Sequence, residues 1–420
     1  MRLPENRMTE IRIHLPLVHA VIACLKPIIE EDKVADKVVA FFLKQHKNYG
    51  ARDRSFIAES VYDIVRWRIK YEYQLNGYNP QWKYYKHLLL ASLLNRAYMP
   101  VNSEVFDVSA IEMNELLSVI QQPIEEEFIA QSYPRAFYDF ALKSIGTEWQ
   151  KMAVALNQKP AVFIRANTLK TTRDKLHAAL QAEHIECTEV NTLFLQDAIQ
   201  IHSKNNLKNS TLYKQGWFEF QDIGSQAIGS FVFKNLGEKN KQPIQILDLC
   251  AGAGGKTLHL SALLGNNGKI YATDYAAARV EYLKVRAAQA GCKNVEVIPF
   301  ATAKSLRNID ILLIDAPCSG SGTFKRQADL KYKITEEKVQ AYRKIQVDLL
   351  RTYVGNITPF GKIIYATCSI FPQENEQQIQ EFLEQYKRFV LADECKLSPT
   401  NYNGDGFYMA CVANSIKIQE

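Results

Sequence analysis

No run of 18 or more apolar residues occurs in the 420-residue sequence, so no membrane-spanning helix is expected. The first ten residues are polar and carry Glu5 and Glu10. They lack the apolar core and small-residue cleavage site of a signal peptide. None of the eight cysteines (Cys24, Cys187, Cys250, Cys292, Cys318, Cys368, Cys395 and Cys411) stands in a CxxC, and no bound metal is expected. There is no internal repeat and no low-complexity segment. A cytoplasmic protein with reduced thiols is the expectation. In such a protein, a cysteine that matters should matter as a nucleophile.

The length allows two or three domains, each able to bury a core. The net charge of +6 is unevenly spread. Residues 1–100 carry 16 Lys and Arg against 10 Asp and Glu, residues 101–140 one against eight, and the remainder 34 against 27. Two mildly basic blocks thus flank an acidic connector, which is compatible with a polyanionic partner. Nothing suggests a dimer seam, so a monomer is expected.

Residues 10–125 read as helical, with apolar residues three and four apart in Val38, Val39, Phe41, Phe42 and in Phe56, Ile57, Val61, Ile64, Val65. Gly50–Asp53 marks a break between two helices, and strand-like alternation is absent. Arg54, Arg66, Arg68 and Lys70 form either a solvated face or an RNA contact. Gln81–Lys86 interleaves aromatics and bases, as an amphipathic helix or a stacking platform. Past Tyr133-Pro134 comes a small mixed unit: a helix near 147–156, a strand over Ala161–Ala166, a helix near 172–183 and short strands. From Gly216 onward the pattern is strand, glycine turn, helix. Strands are expected over Ile244–Leu249, Ile270–Asp274, Ile309–Asp315 and Lys362–Thr367, with a helix over Thr335–Gly355. That alternation implies a mostly parallel, doubly wound sheet. Ligands bind such sheets beyond the carboxyl ends of the strands.

Asp248 to Thr257 (DLCAGAGGKT) closes the first of these strands and opens a helix. Glycines allow a sharp turn and close approach of the backbone to a ligand. The helix start supplies free N–H groups. Asp274 ends the next strand, where an acid can accept the ribose hydroxyls of an adenosine. The loop is not a Walker loop, since position 250 is Cys. It is not a clean GxGxxG either, so it is read as an adenosyl-cofactor loop or as a packing turn.

Asp315-Ala316-Pro317-Cys318-Ser319 follows the third strand, and Thr367-Cys368-Ser369 ends the fourth. A lone Cys at a strand end is usually a buried hydrophobe. Two such Cys-Ser turns on one sheet rim beside an adenosyl loop suggest chemistry. Carbon 5 of cytosine is too weak a nucleophile to take a methyl group from a sulfonium. A thiolate adding to carbon 6 makes carbon 5 enamine-like. An acid near N3 offsets the charge that develops on the ring. Two alternatives remain at this level: a methyltransferase acting on an exocyclic amine or on protein, and a non-catalytic RNA-binding assembly factor.

Over about residues 130–420 the chain closely resembles the RsmB/Nop/Sun family of RNA cytosine-5 methyltransferases. The resemblance rests on Cys250–Thr257, Asp315–Gly322, Thr367–Ser369, Pro372-Gln373-Glu374-Asn375-Glu376, Arg165–Lys170, Gln221-Asp222, Ser225-Gln226 and Asp405-Gly406-Phe407. It implies an α/β, Rossmann-like class I methyltransferase domain over 214–420 and a small α/β RNA-binding unit over 129–213. Before these comes an all-helical domain over 1–128, similar to NusB through Arg52–Phe56 and Val61–Arg66. By the resemblance, Cys368 is the nucleophile, Cys318 helps release product and Asp315 holds the target base. S-adenosylmethionine is then bound by Cys250, Ala251, Gly252, Ala253, Gly254, Gly255, Lys256, Asp274, Arg279 and Asp315. Arg165, Asn167, Lys170 and Arg326 are implied as RNA contacts. Small-subunit ribosomal RNA leads over transfer RNA as substrate. In one departure, Phe300 stands where many members carry an Asp that contacts adenine, so adenine is to be held by stacking or backbone contacts.

Overall fold

The computed structural model describes residues 8–78, 83–190, 195–203, 207–237, 243–401 and 403–415. The chain divides into two compact units. One comprises residues up to 157 together with 324–335, and the other 158–323 together with 336–420.

The first unit contains β1 (Thr9–Ile11), α1 (Leu15–Ile29), α2 (Ala35–Gln45), α3 (Ala51–Tyr78), α4 (Tyr84–Asn95), β2 (Tyr98–Pro100), α5 (Ala110–Ile120), α6 (Glu127–Ala130), α7 (Arg135–Ile145) and α8 (Glu148–Leu156). Helix therefore runs on well past residue 128. Its core gathers the apolar stripes of α1, α3 and α4, including Val21, Leu25, Ile57, Val61, Ile64, Leu89 and Leu93. β1 and β2 pair in parallel. Three-residue strands are too short to show alternation, which is why the sequence reads as helix alone.

Arg54, Arg66 and Arg68 of α3 are engaged within the unit. Arg66 is buried, and its guanidinium donates to the carbonyls of Phe324 (3.1 Å) and Lys325 (2.7 Å). Arg68 stacks 4.1 Å over the Tyr332 ring. Arg54 donates to the carbonyls of Leu43 and His46. The segment 324–335 is thus strapped onto this unit. Inside it, fully buried Lys331 donates to the Arg66 carbonyl and to Asn157 Oδ1, 4.5 Å over the Tyr133 ring. Gln81 and Trp82 of the aromatic-basic stretch lie outside the described residues. Tyr84 and Tyr85 are tied by their hydroxyls to Glu72 and Glu30.

The second unit begins with β3 (Val162–Ala166), α9 (Arg173–Ala182), β4 (Cys187–Glu189), β5 (Ala198–Ile201), α10 (Thr211–Lys214) and β6 (Phe218–Phe220). These build an antiparallel sheet of order β4-β5-β3-β6 with its own core of Ile164, Leu176, Leu180, Ile199 and Phe218. There follow α11 (Ile223–Leu236), β7 (Gln245–Asp248), α12 (Gly255–Leu263), β8 (Lys269–Ala272), α13 (Ala277–Ala290), β9 (Val295–Val297), α14 (Phe300–Ala303), β10 (Ile309–Asp315), α15 (Glu336–Tyr353), β11 (Ile357–Thr367), α16 (Glu376–Gln385), β12 (Phe389–Leu397) and β13 (Phe407–Asn414). Their sheet has the order β12-β13-β11-β10-β7-β8-β9. Five strands are parallel, and β13 and β12 close one side antiparallel.

This is the expected Rossmann-like α/β arrangement. From β7 the chain steps to β8 and β9, then crosses back to β10 on the other side of β7. The sheet therefore has its switch point between β7 and β10, where the carboxyl ends leave a crevice. No helix among the described residues is long and apolar enough to cross a membrane.

Candidate active site

The loop after β7 is folded by its glycines. Gly252 and Gly254 both have positive φ, +56° and +88°. A Cβ on Gly254 would come 2.7 Å from Leu283 Cγ, so that glycine serves packing. A Cβ on Gly252 would meet nothing within 4 Å, so that glycine borders open space. Arg286 binds the Ala253 carbonyl and pairs at 2.5 Å with Glu219 of β6, pinning the loop from below. Cys250, Ala251, Gly255 and Lys256 complete this turn into α12.

Asp274, just past β8, meets the same loop. Its two carboxylate oxygens accept from the N–H groups of Gly252 (2.9 Å) and Ala276 (2.8 Å). Each oxygen keeps a lone pair for a further donor. Asp248 is fully buried; Thr257 Oγ1 donates to its Oδ2 at 2.7 Å, and its Oδ1 has no partner. Burial, against that hydrogen bond, pushes its carboxyl up to about 7. Burial and the carboxylates of Asp315, Asp248 and Asp274 push the Cys250 thiol well above its ordinary value. Arg279 lies exposed in the first turns of α13.

Asp315 closes β10, and its Oδ2 lies 2.5 Å from Lys256 Nζ. Burial works to lower the Lys256 pKa, but the Asp315 carboxylate outweighs it and holds the ammonium above its ordinary value. Beyond Asp315 the turn carries Cys318. β11 lies beside β10 and carries Cys368 just past its end. The two sulfurs are 3.4 Å apart. The hydrogen bond to Cys368, with burial, pushes the Cys318 thiol well above its ordinary value. Either sulfur could donate in that contact.

The turns around the thiols are held closely. Gly322 N–H donates to the Cys368 carbonyl, and Gly406 N–H to the Gly322 carbonyl, both at 2.9 Å. A Cβ on Gly322 would come 2.2 Å from the Gly406 carbonyl oxygen, so only glycine fits. Sequence reasoning gave no role to Glu374 or Asn375. Both are fully buried. Asn375 Oδ1 accepts from Thr367 Oγ1, and its amide donates to the Ser369 carbonyl. Glu374 reaches both Cys-Ser turns. The only signal for either residue was the quoted Pro372–Glu376 run.

The residues expected to touch RNA fare differently. Arg165 is 1% exposed, and its Nε donates to Gln221 Oε1 at 2.7 Å. Asn167 is 3% exposed and donates to the carbonyls of Gly216 and Ala290. Both therefore brace the interior. Lys170 is exposed but donates to the carbonyls of Gln215 and Gln289. Arg326 is exposed on the strap. Phe300 starts α14 and packs edge-on against the exposed ring of Tyr275, centroids 6.0 Å apart. No group of three or more His, Cys, Asp or Glu among the described residues could hold a metal ion.

Known proteins similar to this chain are methyltransferases of ribosomal RNA by name. The model of the family described as 16S rRNA methyltransferase RsmB/F matches residues 235–413. That of the RsmF/B-like ferredoxin-like domain matches residues 133–208. The chain is 26% identical over 315 residues to the probable ribosomal RNA small subunit methyltransferase B of Synechocystis sp., covering 68% of this chain and 69% of that one. It is 29% identical over 280 residues to the ribosomal RNA small subunit methyltransferase B of Proteus mirabilis, covering 63% and 61%. The matched stretches thus span only about two thirds of these relatives' lengths. The crystal structure of PH0851 shares the fold, with a TM-score of 0.75 and 21% identity over 96% of this chain and 99% of that one.

Proposed function

The chain belongs to the RsmB/Nop/Sun family of RNA methyltransferases, and on that premise we propose that it methylates carbon 5 of a cytidine in small-subunit ribosomal RNA, using S-adenosylmethionine. The observation that carries this reading is the Cys318–Cys368 pair, 3.4 Å between sulfurs, beside the Lys256–Asp315 ion pair. A methyltransferase acting on an amine has no use for two adjacent thiols.

The residues present fit the cofactor. The space bordered by Gly252, the half-used oxygens of Asp274 and the start of α12 suit an adenosyl group with its ribose. Cys250 to Lys256 and Asp274 would hold it, with exposed Arg279 and the Tyr275–Phe300 ring pair nearby in sequence and space. When bound, it supplies the electrophilic methyl group.

Cys368, as thiolate, adds to carbon 6 of the cytosine and pushes electron density onto carbon 5. Asp315, matched by Lys256, holds the base where charge develops at N3. After methyl transfer the carbon-5 proton leaves and the Cys368–carbon 6 bond breaks, with Cys318 assisting release. The target base must be unpaired or flipped, since a stacked one cannot present carbon 6. The small α/β unit and Arg326 are proposed to contact RNA, and the protein to act as a cytoplasmic monomer.

The test is covalent trapping on RNA containing 5-fluorocytidine, whose fluorine blocks the final elimination. Small-subunit ribosomal RNA and transfer RNA are run in parallel with the methyl donor. An adduct on ribosomal RNA that Cys368→Ala abolishes and Cys318→Ala retains is expected. An adduct depending on Cys318 instead would overturn the assignment of the nucleophile, and an adduct on transfer RNA alone would overturn the substrate.

A further inference from the structure

Two cysteines on neighbouring strand ends are chemically alike, yet the reaction needs one to be a thiolate while the other keeps its proton. The turns that carry them share one fully buried carboxylate. Glu374 Oε1 accepts from Ser319 N–H (2.9 Å) and Gln346 Nε2 (3.1 Å). Its Oε2 accepts from the hydroxyls of Ser319 and Ser369, each at 2.6 Å. Ser319 follows Cys318 and Ser369 follows Cys368, so one side chain ties both turns. Burial pushes the Glu374 carboxyl above its ordinary value, and the four donors act against that burial, in favour of the ionised form. From this geometry we propose, resting on the two-thiol reading above, that Glu374 is the positioning residue that makes the thiols unequal. It clamps both cysteine turns and sets a buried negative charge beside Cys318.

The surroundings have the matching polarity. Glu374 acts on Cys318 in the direction that retains its proton, after the Cys368 hydrogen bond and burial. Lys256 interacts with Cys368, although its main partner is Asp315. Tyr365 on β11 and Tyr342 on α15 also interact with Cys318, and Arg343 with Tyr365. Both tyrosines are pushed up by burial first, which keeps them neutral.

The experiment is alkylation of the full chain by iodoacetamide between about pH 6 and 10, spanning the thiol range, with labelling at each cysteine read by mass spectrometry. It needs neither RNA nor methyl donor, so its failure is separate from failure of the trapping test. Glu374→Gln is nearly isosteric: its amide oxygen can replace Oε1, and its NH2 can donate to the two serine hydroxyls. In the wild type, Cys368 should label at lower pH than Cys318. In Glu374→Gln, the Cys318 profile should move to lower pH and the Cys368-to-Cys318 labelling ratio should fall several-fold. A Cys318 profile that stays put would overturn the proposal, as would one that moves together with Cys368. A second variant, Ser319→Ala with Ser369→Ala, cuts the clamp and keeps the charge. Diamide, which takes two electrons and two protons from the thiols to form a disulfide, should then close the pair several-fold more slowly. An unchanged closure rate would overturn the clamp.

Discussion

The Lys256 ammonium and the Asp315 carboxylate stand 2.5 Å apart, one rising from the glycine loop and the other from the end of β10. This contact couples the cofactor side of the crevice to the side proposed for the base. Lys256→Met leaves Asp315 without its cation in a half-buried site. Methyl transfer should fall by about 10²-fold or more, the usual scale for losing a preorganised charge. Asp315→Asn should do the same, and the double variant should lose less than the product of the two. Single-turnover rates on ribosomal RNA test this, and independent, multiplicative losses would show that the pair does not act as a unit.

Gly252 and Gly254 predict opposite phenotypes within one loop. Gly254→Ala meets both left-handed strain and Leu283, and should cost about 2–5 kcal/mol of stability. Gly252→Ala meets strain alone, about 1–2 kcal/mol. Its methyl group would instead enter the space proposed for the cofactor and weaken binding about tenfold or more. Urea unfolding and calorimetric titration with S-adenosylhomocysteine separate the two. Full cofactor affinity in Gly252→Ala would mean that the open space lies elsewhere.

Asp248 makes a pH signature. Its carboxyl is pushed up to about 7 by burial, while in the unfolded chain it titrates near 4. The folded state therefore binds more protons at this site between those values, and stability falls as pH rises through them. Asp248→Asn removes that contribution. Relative to wild type, the variant should gain stability as pH rises between about 4 and 7. Parallel stability curves in denaturant would refute the assignment.

Arg165 should behave as a structural residue. Arg165→Ala strips a buried guanidinium from Gln221 and from the nearby charges of Glu219 and Asp197. A loss of about 3–5 kcal/mol is expected. Arg326→Ala should weaken RNA binding with a shallower salt slope. A stable Arg165→Ala variant that only loses RNA affinity would restore the surface reading.

Much of the catalytic sheet was legible because its strands are apolar runs ending in chemically marked turns. Ile309–Asp315 was read to the residue, and α8, β3 and α9 to within one or two positions. β9 was missed because three residues carry no pattern. β12 was missed because its middle residues, largely exposed at the sheet edge, carry no apolar-polar alternation. The burial of Arg165 was not legible, because a charged residue in sequence reads as surface while its partner Gln221 lies 56 residues on. Glu374 was marked only by the Pro372–Glu376 run, because no local pattern reveals a carboxylate whose donors come from three other segments.

The strap has a consequence for how the protein is born. Its bed on α3 is synthesised early, but residues 324–335 leave the ribosome only after 158–323 have been made. Until then Arg66 has no Phe324 or Lys325 carbonyl to hold, and Arg68 has no Tyr332 ring to cover. Domains generally fold in the order of translation. Here the amino-terminal unit is begun first and completed late, so a nascent chain stalled before residue 324 would carry an unfinished helical unit ahead of a nearly whole glycine-loop half-sheet. Protease digestion of such stalled chains should cut near α3, and cutting should cease once the strap emerges.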